Sequence, residues 1–168
     1  MMRKLLLVAA TALMTHAASA APPSDTDRVA LEKLAADLDV VWDKGDPEAV
    51  SALYAADGSL RMDSRPVVQG RAAVRRYFVE TIGRRPAGAR HVTRVENIDM
   101  LTPDLALVDT RASIERDGAQ GGREVLAEFH NQTLALREAD AWRFRAVRAQ
   151  RMAAPSSASA ANHQDGKR

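Results

Sequence analysis

The sequence predicts an α+β domain with its helices in the first half of the chain and its long strands in the second. Three observations carry this. Apolar residues recur at helical spacing in stretches before residue 83. Long runs of strand-like alternation follow from residue 91. Segregated elements of this kind fit α+β rather than a doubly wound sheet. The 168 residues include no cysteine, so packing alone must hold the domain, and thiolate nucleophiles, thiolate zinc sites and Fe–S clusters are excluded.

Helix 1 is predicted from Thr26 to Lys44, where Leu34, Leu38, Val41 and Trp42 form one apolar stripe and Gly45 ends it. Helix 2 follows at once, with Asp46 as N-cap, Pro47 at the first helical position and Glu48 matched to the dipole. Its inner face is Val50, Leu53 and Tyr54, and Asp57-Gly58 stops it. Ser59–Met62 and Pro66–Val68 form a short hairpin around Asp63-Ser64-Arg65. Gly70 opens helix 3, Arg71 to Ile82, whose stripe is Val74, Tyr77, Phe78 and Ile82.

Four strands complete the domain. His91 to Met100 alternates with a slip between Val92 and Val95, which predicts a bulge there. Leu105 to Glu115 places Ala106, Val108, Thr110, Ala112 and Ile114 on one face. Arg123 to Arg137 comes next. The last strand, Trp142 to Arg151, sets Trp142, Phe144 and Ala146 on one face and Arg143 and Arg145 on the other. Long antiparallel strands must curve around the helices to bury both stripes. The natural result is a cone with an open mouth, and such a mouth is a ready pocket.

The ends read differently. Residues 1–20 have a basic start at Arg3 and Lys4, an apolar run from Leu5 to Met14 and a small-residue Ala18-Ser19-Ala20 site. This is the pattern of a secretory signal peptide, too short for a spanning helix. The expected location is therefore periplasmic or secreted, with no membrane anchor after cleavage. Residues 21–27 read as a flexible lead-in, 28–151 as the domain, and 152–168 as a disordered tail holding a solvated His163. Without Arg3 and Lys4, the 24 basic residues fall to 22, equal to the 22 acidic ones. Net charge thus predicts no nucleic-acid partner.

The runs KGDPEAVSALYAADGSLRM, VVQGRAAVRRYF and AWRFRAVRAQR are similar to the NTF2-like superfamily. More narrowly, they resemble its SnoaL-like and DUF4440-type small proteins. The match rests on Gly45-Asp46, on Leu53-Tyr54 before Asp57, on Gly70 and on Trp142, and spans about residues 28–150. It implies a cone of curved antiparallel sheet around three helices, an internal cavity and a homodimer through the sheet. It does not imply one chemistry. In the steroid-isomerase pattern, the helix-1 tyrosine position falls on Leu38 and the catalytic-base position on Met62, with Asp63 one residue later. Both acid–base positions of that pattern are absent.

His91 and His130 are the candidate catalytic residues. An imidazole near the cone mouth is a general base at neutral pH, and two inward histidines would share the cavity. The plainer account of His91 is a rim histidine bonded to a neighbour, and the facing of His130 turns on a single residue of register. Asp109 and Arg111 read as a surface or interface ion pair. Asp63 reads as a turn residue. Asn131-Gln132-Thr133 matches the glycosylation pattern but lies inside a strand. The pocket candidates are Trp42, Tyr54, Met62, Phe78, Phe144 and Arg148. Arg148 continues the Trp142–Phe144 face and would hold an anionic group at the mouth. Neither an HExxH metal motif nor a glycine-rich phosphate loop is present, so neither a metal nor a cofactor is expected.

Two functions remain open at this point. The favoured one is a small-molecule binding or dimeric assembly module, with Trp42, Tyr54 and Phe78 filling the cavity and both histidines on the rim. The other is a cofactor-independent lyase, isomerase or hydrolase, with a cavity histidine beside a polar partner.

Overall fold

The computed structural model describes residues 21–119 and 121–153. The predicted signal segment, His163 and all of the tail beyond residue 153 lie outside the described residues. Helix α1 (Asp25–Lys44) and helix α2 (Pro47–Ala52) are followed by strands β1 (Tyr54–Met62) and β2 (Val68–Gln69). Helix α3 (Arg71–Ile82) precedes strands β3 (Arg90–Thr102), β4 (Leu105–Asp117), β5 (Arg123–Glu138) and β6 (Ala141–Arg151). The six strands form one curved, open sheet in the order β2-β1-β6-β5-β4-β3. Every pairing is antiparallel except β1 with β6. No helix among the described residues is long and apolar enough to cross a membrane.

Helix α1 begins where a polar side chain can satisfy its free amides. Ser24 Oγ accepts from Asp27 N at 3.1 Å. At the other end, Gly45 takes φ 73°, and its N–H donates to the carbonyl of Trp42 at 2.9 Å. Asp46 Oδ1 accepts from Ala49 N at 2.9 Å and starts α2. The inner stripe of α1, Leu31, Leu34 and Trp42, packs with Val74, Phe78 and Ile82 of α3 into the core beneath the sheet.

The lead-in belongs to the fold, contrary to the expectation of a flexible 21–27 segment. Ala21 bridges to Met100 through two backbone hydrogen bonds of 3.2 and 2.9 Å, and α1 is under way by Asp25. Asp27 anchors this end. Its carboxylate accepts from Ser24 Oγ and from the Arg137 guanidinium, which also stacks 4.6 Å from the Trp142 ring. The Ser24 hydrogen bond, with Arg137 second, holds the Asp27 carboxyl below the usual carboxylate range. A carboxylate with a lowered folded-state pKa stabilises above its unfolded value, and that contribution disappears as pH falls through the folded value. Asp27→Asn should therefore cost roughly 1 kcal/mol near neutrality, on the scale of a partly exposed ion pair. Thermal melts of the two proteins should converge below the ordinary carboxylate range.

Helix 2 is shorter than predicted. It ends at Ala52, and Tyr54 begins a strand instead of finishing the helical face. A six-residue helix has few hydrogen bonds to lose. Tyr54 instead pairs with Phe144 in the parallel β1–β6 ladder, Phe144 N donates to Leu53 O at 2.9 Å, and Arg71 donates twice to Tyr54 O.

Two bulges set the facing of the strands. In β3 the register shifts between Val95 and Asn97, later than predicted. His91, Thr93 and Val95 therefore share the concave side with Ile98 and Met100. In β6, Ala135 pairs with Phe144 and Leu134 with Ala146, which leaves Arg145 as the extra residue. Trp142 and Phe144 point inward, and after the bulge Val147 and Ala149 do so.

Candidate functional site

Two carboxylates on α1 face the first turn of β3. Asp39 and Asp43 stand one helical turn apart, on the same side as Leu38 and Trp42. Strand β3 is the edge of the sheet, so alternate backbone N–H groups along it lack a strand partner. Asp43 Oδ1 accepts from His91 N at 2.8 Å, and Asp39 Oδ2 accepts from Thr93 N at 2.8 Å. This docks the C-terminal half of α1 onto the strand and fixes the side chains that point inward.

The same contact builds a dyad. His91 Nδ1 lies 2.6 Å from Asp39 Oδ1, and Thr93 Oγ1 donates to that oxygen at 2.6 Å. A carboxylate only accepts, so Nδ1 carries a proton in this contact, and in the neutral ring the lone pair lies on Nε2. The side chains are largely enclosed, 14% exposed for His91 and 20% for Asp39. The Trp42 ring packs 5.6 Å from the imidazole. Arg85 stacks behind Trp42 at 5.1 Å and donates to the carbonyls of Trp42 and Asp43, closing the end of α1.

His91 lines a cavity of about 140 Å³ between the sheet and the helices. Trp42, Tyr54, Met62 and Phe78, all pocket candidates from the sequence, line it too. Phe144 lines an adjoining chamber of about 40 Å³, which shares Leu38, Asn131 and Val147 with the larger one. The walls are mostly apolar with a few polar groups, as expected of a small-molecule site. Tyr54 is fully buried, packed edge-on to Phe144 at 5.3 Å. Burial pushes its phenol far above the usual range, so it stays a neutral donor. Leu38 and Met62, which stand at the two steroid-isomerase positions, also line the cavity and bring no acid or base.

Asn131 is the polar centre of the two chambers. Its Nδ2 donates to Thr110 Oγ1 at 3.2 Å, while Oδ1 is buried with no hydrogen-bond partner among the described residues. A buried acceptor left unpaired costs stability unless something occupies it. Asn131 thus places an amide side chain where the two chambers meet. Among the described residues no cluster of three His, Asp or Glu side chains is arranged to hold a metal.

Two sequence candidates stand elsewhere. His130 alternates with Asn131 and Phe129, which line the cavity, so it faces the outer side of the sheet, paired across to Arg111 and Gln150. The two histidines are not brought together. Arg148 also leaves the pocket, because the bulge at Arg145 inverts the facing of the strand end. Its guanidinium donates to Ser59 Oγ at 3.2 Å. Asp109 and Arg111 do not pair with each other: Arg111 Nε lies 2.9 Å from Glu96 Oε1. Asp63 sits in a turn at φ 52° and accepts from Arg151 N at 2.6 Å. Asp39, Thr93 and Asn131 were missed. The signal for Asp39 was an Asp-x-x-x-Asp pair beside the apolar stripe, but its partner is 52 positions away.

A family model for the SnoaL-like domain matches residues 24–148. No curated protein matches the sequence. Solved structures with a similar fold are many. A ketosteroid isomerase-like protein from Erwinia carotovora atroseptica aligns with a TM-score of 0.63 at 16% identity, covering 78% of this chain and 100% of that one. A scytalone dehydratase-like protein from Novosphingobium aromaticivorans gives 0.66 at 18%, covering 76% and 85%. A protein of unknown function from Mycobacterium tuberculosis gives 0.66 at 20%, covering 78% and 75%. At these identities the likeness establishes the cone fold and no activity.

Proposed function

We propose a function from one premise: the chain belongs to the SnoaL-like domain family. The reading that the geometry supports best is a cofactor-independent lyase or isomerase acting on a small carbonyl compound. His91 is its general base and Asp39 the residue that positions it. The observation that carries this is the 2.6 Å contact between His91 Nδ1 and Asp39 Oδ1 on the wall of a half-open, mostly apolar cavity. The binding-module alternative required an aromatic-filled cavity with His91 on its rim. Space remains, and His91 borders it.

The chemistry follows from the groups present. His91 Nε2 takes a proton from the carbon beside the substrate carbonyl; the C–H electron pair becomes the C=C bond of the enolate as the carbonyl π pair moves onto oxygen. Asp39 steadies the imidazolium that results. A neutral phenol from Tyr54 is the donor available to the enolate oxygen. Asn131, where the two chambers meet, supplies the polar contact that sets the orientation. Where the substrate carries a β,γ double bond, return of the proton to the γ carbon gives isomerisation. If the enolate expels a β-hydroxyl that takes the proton, water leaves and the reaction is a dehydration.

The test is solvent-deuterium exchange into a panel of enolisable ketones and β-hydroxy ketones, followed by NMR. Exchange above the buffer rate is expected for at least one member. If none exchanges, and no panel member shifts the His91 ring signals, the proposal fails.

A second copy of the chain is proposed to cover the outer face of the sheet. The ground for this is the family resemblance, which implies a homodimer through the sheet; Asp109 and Arg61 stand on that face, each with one buried atom unpaired among the described residues. Sedimentation should give a dimer that Asp109→Ala weakens. The setting proposed is outside the cytoplasm and rests on the leader-like residues 1–20.

A further inference from the structure

The cavity opens beside a second concavity whose charge has no role in the chemistry above. This groove, about 310 Å³, lies between the β1–β2 hairpin and α3. It shares Leu60, Met62, Tyr77 and Thr81 with the cavity that His91 lines. Those four side chains line both spaces, so the two adjoin there. Two guanidiniums, Arg65 from the hairpin turn and Arg84 from just past α3, border the groove against one carboxylate, Glu80.

Neither arginine makes an ion pair among the described residues. Arg75 and Arg111, by contrast, are each matched to a glutamate. Glu80 precedes Arg84 by one helical turn yet does not engage it. Arg65 lies near enough to Tyr77 to act on it: burial pushes the Tyr77 phenol up, and the Arg65 charge pulls against this. Two unspent forks of N–H donors at the lip of an apolar cavity suit a planar oxyanion.

We propose that the substrate is an organic carboxylate, its apolar body in the His91 cavity and its carboxylate held in the groove by Arg65 and Arg84. This rests on the reading of the cavity as the reaction site and adds the substrate class. It also relocates an anion site that the sequence suggested at Arg148. The mouth carries the positive charge on the hairpin and α3 side instead. The position of the two arginines explains how a small cavity selects among apolar molecules of similar shape. The body fits many, and the charge admits those with an acid group at the right end.

The probes are 2-naphthoate and 2-naphthamide, which share shape and differ in charge. Binding to the protein is measured by calorimetry and located by NMR shifts of the Trp42 indole and His91 ring. Naphthoate should bind about tenfold more tightly than the amide, the scale of two charge-assisted contacts at a partly exposed site. Arg65→Ala with Arg84→Ala should remove that preference and leave the amide affinity unchanged. Equal affinities in the wild-type protein, or a preference that survives the double substitution, would overturn the carboxylate assignment. The cavity reading would stand in that case, provided Trp42 and His91 still shift. If neither probe shifts them, the cavity reading fails and the assignment with it.

Discussion

His91→Ala is expected to lower the rate of proton exchange into a responsive ketone by about 10²- to 10⁴-fold, the usual contribution of a positioned acid–base group. The fold should survive. The imidazole contributes little to the core, and the backbone N–H of residue 91 still donates to Asp43. Imidazole added to the buffer should restore part of the rate, because the vacated space borders an existing cavity. A structural role alone would not produce rescue. Asp39→Asn should behave differently. It removes the carboxylate that fixes the ring and accepts from Thr93, so activity and stability fall together and free imidazole gives no recovery. An asparagine can also present its amide N–H₂ to Nδ1, which favours the wrong tautomer. Should His91→Ala retain more than a tenth of the exchange rate, the base is another group and the dyad is only a tie between α1 and β3.

Much of the fold was readable because its signals are local. The stripe of α1, the Gly45-Asp46 step with its caps and the full extent of α3 all follow from residues within a few positions of one another. The concave face of β4 follows from simple alternation, since that strand keeps its parity until Ile114. Errors arose where long-range pairing decides the outcome. Tyr54 carries a helical pattern, but the parallel ladder with β6 claims it. Arg148 was assigned to the pocket by alternation from Trp142, and one extra residue at Arg145 reversed it. The same logic places His130 outside and Asn131 inside. The dyad could not be read from the sequence, since Asp39 and His91 meet only when α1 crosses the sheet edge. His91 was identified as titratable, but its partner required the fold.

The second large effect is expected at Gly58. The parallel β1–β6 ladder shifts register between Tyr54 and Ser59, and the chain crowds β6 there. A Cβ added at Gly58 would stand 2.8 Å from the Phe144 carbonyl oxygen, 2.9 Å from that of Ala55 and 3.1 Å from Tyr54 Cβ. The first two are backbone atoms and cannot swing aside as a side-chain tip would. Gly58→Ala should therefore destabilise by about 3 kcal/mol, the upper end for overpacking a closed site. Gly88→Ala is the control without crowding: no atom lies within 4 Å of the added carbon, so only its positive φ of 71° opposes the change. Denaturant melts should separate the two variants clearly. Function should follow, because Tyr54 walls the cavity and Phe144 the adjoining chamber, on either side of this contact. Pushing β1 outward spreads their edge-to-face packing and moves the phenol away from His91. In folded Gly58→Ala protein, proton exchange should drop more than naphthamide binding, since positioning suffers before space does. A variant with wild-type stability would show that β1 yields at this point, and the rigid wall assumed for the Tyr54 donor would have to be abandoned.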